Sequence, residues 1–218
     1  MKHHHKPSEE EHSTVPVRQR IIIASNNEGK IREFRQLLRP FGFEAVSMRE
    51  AGYTKEIIED GETFEENAHI KARAIFEALR LPTIADDSGL EIDFLDGAPG
   101  VYSARYAGEG ATDKERCEKV REEMHGVARP LRVARFVCSI YFIYDEDSEY
   151  SVNGTVEGYI GDEMTGKNGF GYDPIFMIDD NESMATIDDD EKNRISHRAR
   201  AFEKLSVILK EKFLDADK

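Results

Sequence analysis

Apolar residues recur along this chain at two different spacings, which together predict an α/β protein. Residues 21–25 form a short β-branched run that is typical of a buried strand, and the apolar positions in 31–38 then recur at helical spacing. Capping boxes predict two more helices, beginning at Thr63 and Thr112, because each threonine precedes a glutamate by three residues. A final helix is predicted over 192–213. Alternation of strands and helices favours a mixed β-sheet flanked by helices.

The segments between these helices predict further strands. Residues 81–85 form an apolar run that is expected to end abruptly in the turn composition Asp-Asp-Ser-Gly at 86–89. Residues 133–144 are almost continuously aromatic and β-branched, and with the extended stretch through Val156 they predict a long hairpin. We expect one domain over 21–215, preceded by a disordered tail at residues 1–20.

Net charge and cysteine usage limit the partners that this chain can have. The chain carries a formal net charge of −14, whereas a nucleic-acid binder needs a basic face, so no nucleic-acid partner is expected. No apolar run approaches the roughly 20 residues that span a bilayer, and the first residues lack a secretory signal. Cys117 and Cys138 form no C-x-x-C motif, which fits a reducing cytoplasm.

The polar turn S-N-N-E-G-K at 25–30 is a candidate anion site. It joins an apolar strand to a helix, so free backbone N–H groups and the positive end of the helix can face a phosphate, with Lys30 adding a full charge. The alternative is an ordinary helix cap made by Ser25 or Asn27, with Lys30 in solvent.

Three carboxylates are candidates for metal binding and catalysis. Asp86 and Asp87 follow a predicted strand, where carboxylates facing a cleft can hold Mg²⁺ and orient water. A carboxylate that stays ionised beside the metal suits a general base. Glu59 precedes a predicted helix and can supply a second metal ligand. The alternatives are a polar turn at 86–89 and a solvated loop charge at Glu59.

A glycine-rich segment and a basic helix start complete the candidates. Residues 161–168 match G-x-x-x-x-G-K, but Asn168 replaces the hydroxyl that holds Mg²⁺, so this is not a P-loop. Phe170 or Tyr172 could offer an aromatic face to a base, or belong to the core. Over 192–198, basic side chains bring hydrogen-bond donors to one helix end, where anions are favoured. The alternative is that these side chains are solvated charges on the helix surface.

Six segments, in this order along residues 21–209, resemble the Ham1/RdgB family, the inosine triphosphate pyrophosphatases that act on non-canonical purine nucleotides. One such string would be weak evidence, whereas six in register make coincidence improbable. The segments are S-N-N-E-G-K, E-D-G-E-T-F-E-E-N-A, I-A-D-D-S-G-L, G-A-P-G-V-Y-S-A-R-Y-A-G, G-F-G-Y-D-P-I-F and E-K-N-R-I-S-H-R-A.

The resemblance implies a role for each matching residue. Asp87 is the expected catalytic residue, which activates the attacking water, and Glu59 and Asp87 are the expected Mg²⁺ ligands. The first turn and Lys71 bind the triphosphate, and the last two segments form the base pocket. Arg105 is a weaker candidate. The expected substrate-binding residues are Ser25, Asn26, Asn27, Glu28, Gly29, Lys30, Lys71, Ser88, Phe170, Gly171, Tyr172, Asp173, Lys192, His197 and Arg198.

The resemblance also implies an elongated mixed sheet with two lobes, a central nucleotide cleft and a homodimer. The implied reaction is Mg²⁺-dependent hydrolysis of ITP, dITP and XTP to the monophosphate and pyrophosphate. A Maf-type nucleotide pyrophosphatase is the nearest alternative, which I-S-H-R-A at 195–199 disfavours. A non-catalytic nucleotide-binding module is the other, which Asp87 and Glu59 disfavour. The loop at 182–188 fits the family less well, and the acidic trio at 188–190 has no assigned role.

Overall fold

A computed structural model of the chain describes residues 19–214. The expected tail at 1–20 lies almost wholly outside these residues, as does residue 215 of the expected domain, and Arg20 already belongs to the first strand. The strands are β1 (Arg20–Ile23), β2 (Glu44–Ser47), β3 (Thr83–Ile92), β4 (Val133–Asp145), β5 (Ser148–Ile160) and β6 (Phe176–Met177). The helices are α1 (Glu28–Leu38), α2 (Phe64–Leu79), α3 (Asp113–Glu123), α4 (Asp189–Ile195) and α5 (His197–Leu209), followed by a π-helical turn at Lys210–Leu214.

The strands form a six-stranded sheet in the order β2-β1-β3-β4-β5-β6. β1 runs parallel to β2 and β3, whereas β3, β4, β5 and β6 are joined antiparallel, so the predicted mixed sheet is confirmed. The predicted long hairpin is β4–β5, in which Val133 faces Tyr159 at one end and Ile143 faces Glu149 near the other. Over the residues that the structure describes, no helix is both long and apolar enough to cross a membrane.

Both helix starts are confirmed at the predicted threonines, which act as N-caps. The Thr63 side chain accepts a hydrogen bond from the Glu66 N–H at the start of α2, and Thr112 accepts one from the Glu115 N–H at the start of α3. These caps satisfy N–H groups that lack partners inside the helix. The local pattern therefore placed both helix starts correctly.

The predicted turn at 86–89 is wrong, because β3 continues through it to Ile92. Asp, Ser and Gly favour turns through local hydrogen bonds, but here the backbone pairs with β4 in register, with Asp86 opposite Ile140. The Asp86 carboxylate is buried and paired with Lys30 and Arg198, which come from distant parts of the chain. These long-range ion pairs override the local turn preference.

The single C-terminal helix that the sequence predicted is divided in two at Ser196. This residue has an extended backbone (φ −66°, ψ 161°), and its hydroxyl accepts a hydrogen bond from the Ala199 N–H, which begins α5. His197 and Arg198 consequently lie in the first turn of α5, whereas Lys192 belongs to α4. The break brings side chains from two helix segments towards one point.

The acidic trio at 188–190 joins α4 to the rest of the fold. The Asp188 side chain caps α4 by accepting a hydrogen bond from the Glu191 N–H at 2.8 Å. Asp189 forms an ion pair with Arg32 on α1. Asp188 and Asp189 of the trio thus fix the start of α4 against α1.

Buried apolar residues form separate clusters at the two ends of the long strands. At one end, α1 and α5 pack on one face of the sheet and α2 packs on the other, with Phe34 and Ile75 fully buried. At the other end, α3 packs beside β6 and the far halves of β3–β5, where Leu90 and Ile160 are fully buried. Cys117 belongs to this core. The two ends correspond to the expected two lobes.

Gly154 of β5 lies where α5 crosses the sheet, and we predict that Gly154→Ala destabilises the protein. A Cβ atom there would lie 2.3 Å from the Ala201 nitrogen and 2.4 Å from the His197 carbonyl oxygen. Overpacking of this kind lowers the free energy of unfolding by about 1–3 kcal/mol. Urea denaturation measures the loss, with the exposed β5 residue change Ser151→Ala as the control. Equal stability of both variants would mean that α5 does not approach β5 this closely.

Candidate active site

A cavity of about 450 Å³ opens between the two lobes, within the size range of small-molecule sites. Glu28, Gly29 and Arg105 do not line it, and Arg105 instead lies on the surface over the Tyr102 ring. The predicted site residues that line it are Ser25, Asn26, Asn27, Lys30, Glu59, Lys71, Asp87, Ser88, Phe170, Gly171, Tyr172, Asp173, Lys192, His197 and Arg198. The structure therefore brings residues from all six quoted segments to one place, the fourth segment contributing Val101, Ser103 and Ala104.

The turn before α1 is both a helix cap and a wall of the cavity. Asn27 caps α1 by accepting a hydrogen bond from the Lys30 N–H at 3.1 Å, and the Ser25 hydroxyl accepts one from the Asn27 N–H at 3.0 Å. Lys30 is not in solvent, because its Nζ lies 3.3 Å from Asp86 Oδ1 and its side chain is 15% exposed. The turn therefore lines the cavity through Ser25, Asn26 and Asn27, with the Lys30 ammonium beside them.

Asp86 is the buried anion on which these cations converge. Arg198 NH2 donates to Asp86 Oδ2 at 3.0 Å, and Lys30 approaches the other oxygen as an ion pair without hydrogen-bond geometry. Burial would raise the pKa of Asp86, but Lys30, Arg198 and Lys71 together hold it well below its ordinary value. The Asp86 carboxylate therefore stays ionised and is committed to its protein partners.

Glu33 extends this network from α1 to the side of the cavity that Lys192 lines. Its carboxylate accepts hydrogen bonds from Arg198 and, at 2.6 Å, from Lys192 Nζ. Lys192 Nζ also lies 2.6 Å from Asp173 Oδ2. Burial would raise the pKa of Glu33, but Arg198 and Lys192 outweigh burial and lower it. Arg198 and Lys192 are consequently held in fixed positions from behind the cavity.

Asp87 differs from its neighbour in direction and environment. Successive strand residues point to opposite faces, and the Asp87 carboxylate accepts a hydrogen bond from Asn67 Nδ2 of α2 at 3.1 Å. Burial raises the pKa of Asp87 above its ordinary value, although Lys71 and Lys30 act in the other direction. Asp87 lines the cavity, whereas Asp86 does not.

Lys71 links the carboxylates on this side of the cavity. Its Nζ pairs with Glu59 Oε1 at 2.9 Å and donates to the Asp86 carbonyl oxygen at 2.5 Å. Burial would lower the pKa of Lys71, but Asp86, Glu59 and Asp87 outweigh burial and raise it. Lys71 therefore remains a cation at the cavity wall.

The donor set at Glu59 and Asp87 fits a magnesium ion that is bound together with its substrate. Among residues 19–214, no three histidine, cysteine or acidic side chains gather into a metal cage. Mg²⁺ prefers oxygen ligands and is commonly held by one or two carboxylates plus substrate phosphates, with water completing its shell. Two carboxylates that line the cavity together with Lys30 and Lys71 match that mode, and they do not match a structural zinc site.

Aromatic rings and a neutral histidine line the remaining wall. The His197 ring stacks on Phe136 with centroids 4.8 Å apart, and His197 Nδ1 is buried with no hydrogen-bond partner in the described part of the chain. Burial, Arg198 and Lys192 hold the pKa of His197 well below its ordinary value, so the ring is neutral at pH 7. Lys192 Nζ lies 4.4 Å from the Phe170 ring centroid. The Phe170 ring packs on Gly29, whose missing Cβ would lie 2.3 Å from it.

Sequence reasoning missed several residues that line or support the cavity. Lys55 and Arg116 line it from loop and helix segments that no quoted motif covers. Glu33 supports it from behind, and its signal in the sequence is an acid one turn after Lys30, beside the apolar face of the first helix. The roles of Lys55 and Arg116 have no comparable local signal.

The model of the Ham1 family matches residues 21–208 of the chain. The chain belongs to the Ham1 family. Two relatives named dITP/XTP pyrophosphatase, from Bacillus licheniformis and Bacillus subtilis, are each 50% identical to it. The first match covers 87% of this chain and 97% of the relative, and the second covers 88% and 98%.

Solved structures of Ham1 proteins share the fold. The Ham1 protein from Coxiella burnetii is 44% identical, with a TM-score of 0.79 over 88% of this chain and 99% of that one. The Ham1 protein from Staphylococcus aureus is 40% identical, with a TM-score of 0.78 over 89% and 100%. The mixed sheet and the flanking helices are thus family features.

We predict that the paired aspartates of this Ham1 chain differ in their contribution to stability. Asp86→Asn leaves Lys30 and Arg198 short of a buried counter-charge, so it should lower the free energy of unfolding by about 3–5 kcal/mol. Asp87→Asn should change it by less than about 1 kcal/mol, because the raised pKa means that the fold already disfavours the ionised form.

Urea unfolding at pH 7 compares the two aspartate variants with the unaltered protein. A loss of stability in Asp87→Asn as large as that in Asp86→Asn would contradict the assignment of the buried charge network to Asp86.

Proposed function

We propose that this chain hydrolyses non-canonical purine nucleoside triphosphates, among them dITP, XTP and ITP, to the monophosphate and pyrophosphate. The observation that carries the proposal is a single cavity holding a helix start with Lys30, the Asp87 carboxylate and the buried donors around His197. The names of the Bacillus relatives favour this reaction over a Maf-type activity or a non-catalytic module.

Local cations explain how so acidic a chain binds a polyanion. A net charge of −14 repels a triphosphate at long range, so binding requires cations gathered where the phosphates lie. Lys30 and Lys71 line the cavity beside the first turn of α1, whose N–H groups favour anions. We assign the triphosphate to this wall.

Asp87 is the residue that we assign to proton transfer. A water between its carboxylate and the α-phosphorus would be oriented for attack, with pyrophosphate leaving. Burial raises the pKa of Asp87, which makes its carboxylate a stronger base than that of an exposed aspartate. Asn67, which donates to the carboxylate, fixes its direction.

We propose that Glu59 and Asp87 hold Mg²⁺ when the nucleotide is bound. The ion would supply charge neutralisation for the phosphate oxygens. Glu59 is already paired with Lys71, so its carboxylate is held at the cavity wall in the orientation that a cation requires. Removal of divalent ions by EDTA should abolish turnover, and added Mg²⁺ should restore it.

The base wall suits a purine with an oxygen at position 6. Arg198 and Lys192 carry only donors, so they can pair with a 6-keto group but leave the 6-amino group of adenine without an acceptor. An unpaired buried polar group costs about 1–3 kcal/mol. The neutral His197 ring, with its unpartnered Nδ1, adds one more hydrogen-bonding position.

We also propose that the protein is a homodimer, as the family resemblance implies. Large apolar side chains, including Phe94, Tyr102 and Leu131, are exposed on the single chain. Sedimentation equilibrium should give twice the mass of one chain.

We predict that dITP, ITP and XTP are cleaved with a kcat/KM at least about tenfold above that of dATP or ATP. The reason is the donor-rich base wall. Initial rates of pyrophosphate release across a nucleotide panel measure the preference. Equal values for ATP and ITP would contradict the base assignment, and release of orthophosphate would contradict the reaction class.

We predict that Asp87→Asn lowers kcat by roughly 10² or more, because general-base catalysis contributes a factor of that size. Nucleotide affinity should change far less than kcat, since the lysines and the base wall remain. Asp60, the exposed neighbour of Glu59, provides the control, because Asp60→Asn should retain full activity. Turnover by Asp87→Asn close to that of the unaltered protein would assign the base elsewhere.

A further inference from the structure

Two side chains at the start of α3 hydrogen-bond to the backbone of one cavity residue, Gly171, one at its N–H and the other at its carbonyl oxygen. Asp113 Oδ2 accepts a hydrogen bond from the Gly171 N–H at 2.9 Å. Cys117 Sγ donates to the Gly171 carbonyl oxygen at 3.4 Å. Asp113 and Cys117 lie one turn apart on the same face of α3, so one helix face grips one residue.

The two hydrogen bonds to the Gly171 backbone fix the direction of the residues on either side of it. Its φ of +60° lies in the left-handed region, which only glycine adopts without strain. Phe170 and Tyr172 flank it, and both line the cavity. A shift of the Gly171 backbone would therefore move the two aromatic rings together.

The same turn of α3 holds a second wall of the cavity. Arg116 donates from NH1 to the carbonyl oxygens of Ala104 at 3.2 Å and Ala111 at 2.6 Å, and it pairs with Asp113. The cavity is lined by Ala104 and also by Asp113 and Arg116 themselves. Asp113 thus connects two wall segments through one carboxylate.

Neither helix capping nor core packing accounts for the Asp113 side chain. Thr112 caps α3, and the Asp113 side chain is 50% exposed, so it is not part of the apolar core. Burial raises the pKa of the Cys117 thiol to about 12, which keeps its proton available for the carbonyl of Gly171.

We propose that Asp113 is a positioning residue that sets base selectivity through the Gly171 backbone. The inference rests on the proposed function, because it takes the wall of Phe170 and Tyr172 as the place where the base binds. Asp113 does not support the phosphate wall, since Lys30 is held by Asp86, and Lys71 by Glu59 and the Asp86 carbonyl.

The test separates the two walls by probing each with its own ligand. Calorimetry measures the affinity of dIMP, which carries the base, and of inorganic tripolyphosphate, which carries only the phosphates. The variants are Asp113→Ala, which removes the acceptor, and Asp113→Asn, which keeps an oxygen acceptor for the Gly171 N–H. Glu122→Gln, at an exposed acid farther along α3, is the control.

Asp113→Ala should weaken dIMP binding about tenfold and lower the kcat/KM preference for dITP over dATP by a similar factor, since small misplacements of a binding wall have effects of at least this size. Tripolyphosphate affinity and thermal stability should be almost unchanged. Asp113→Asn should recover most of the dIMP affinity, and Glu122→Gln should match the unaltered protein.

Several outcomes would overturn the inference. These are unchanged dIMP affinity and selectivity in Asp113→Ala, an equal loss of dIMP and tripolyphosphate binding, or no recovery in Asp113→Asn. If the unaltered protein releases no pyrophosphate from dITP, the proposed function fails and the inference fails with it. If the unaltered protein is active and selective but the variants retain that selectivity, only the inference fails.

Discussion

The neutralisation of Asp86, a charge buried in the central strand, is the constraint on which the site depends. A buried carboxylate is costly unless cations and hydrogen bonds surround it, and removing one partner costs more than the pair contributes. The buried Asp86 carboxylate therefore requires that Lys30 of α1 and Arg198 of α5 lie at the same point. Through Glu33, the same requirement extends to Lys192. Ion pairs thus fix three elements around β3, where apolar packing alone would permit sliding.

Adjacent aspartates on β3 illustrate how a strand can separate structure from chemistry. Because neighbouring side chains point to opposite faces, Asp86 faces its cations and Asp87 faces the cavity. Their surroundings move the two pKa values in opposite directions, downward for Asp86 and upward for Asp87. One carboxylate is committed to holding the fold, which leaves the other free to change partners when substrate and water arrive.

The sequence predicted the features whose causes are local. The helix starts at Thr63 and Thr112 depend on a side chain and an N–H three residues away, and the β4–β5 hairpin depends on continuous β-branched sequence. Residues 86–89 were wrongly predicted as a turn, since their partners are distant in sequence. Their backbone pairs with β4, where Asp86 lies opposite Ile140, and the Asp86 carboxylate pairs with Arg198. The cavity residues were found through six segments in register, because each segment alone also fits an ordinary cap, turn or solvated helix.

Ion pairs inside the cavity have a consequence for substrate binding. Glu59 pairs with Lys71, and Asp173 pairs with Lys192, so each cation of the site already has an anion. Under the proposed function, a nucleotide brings phosphates for Lys71 while a metal ion brings charge for Glu59. Each partner of the pair then exchanges an internal counter-charge for an external one, and Lys71, the buried partner, is not left unpaired. A triphosphate without its metal ion would pair with Lys71 but leave Glu59 without a cation. This arrangement of charges therefore favours binding of the triphosphate and the metal ion together.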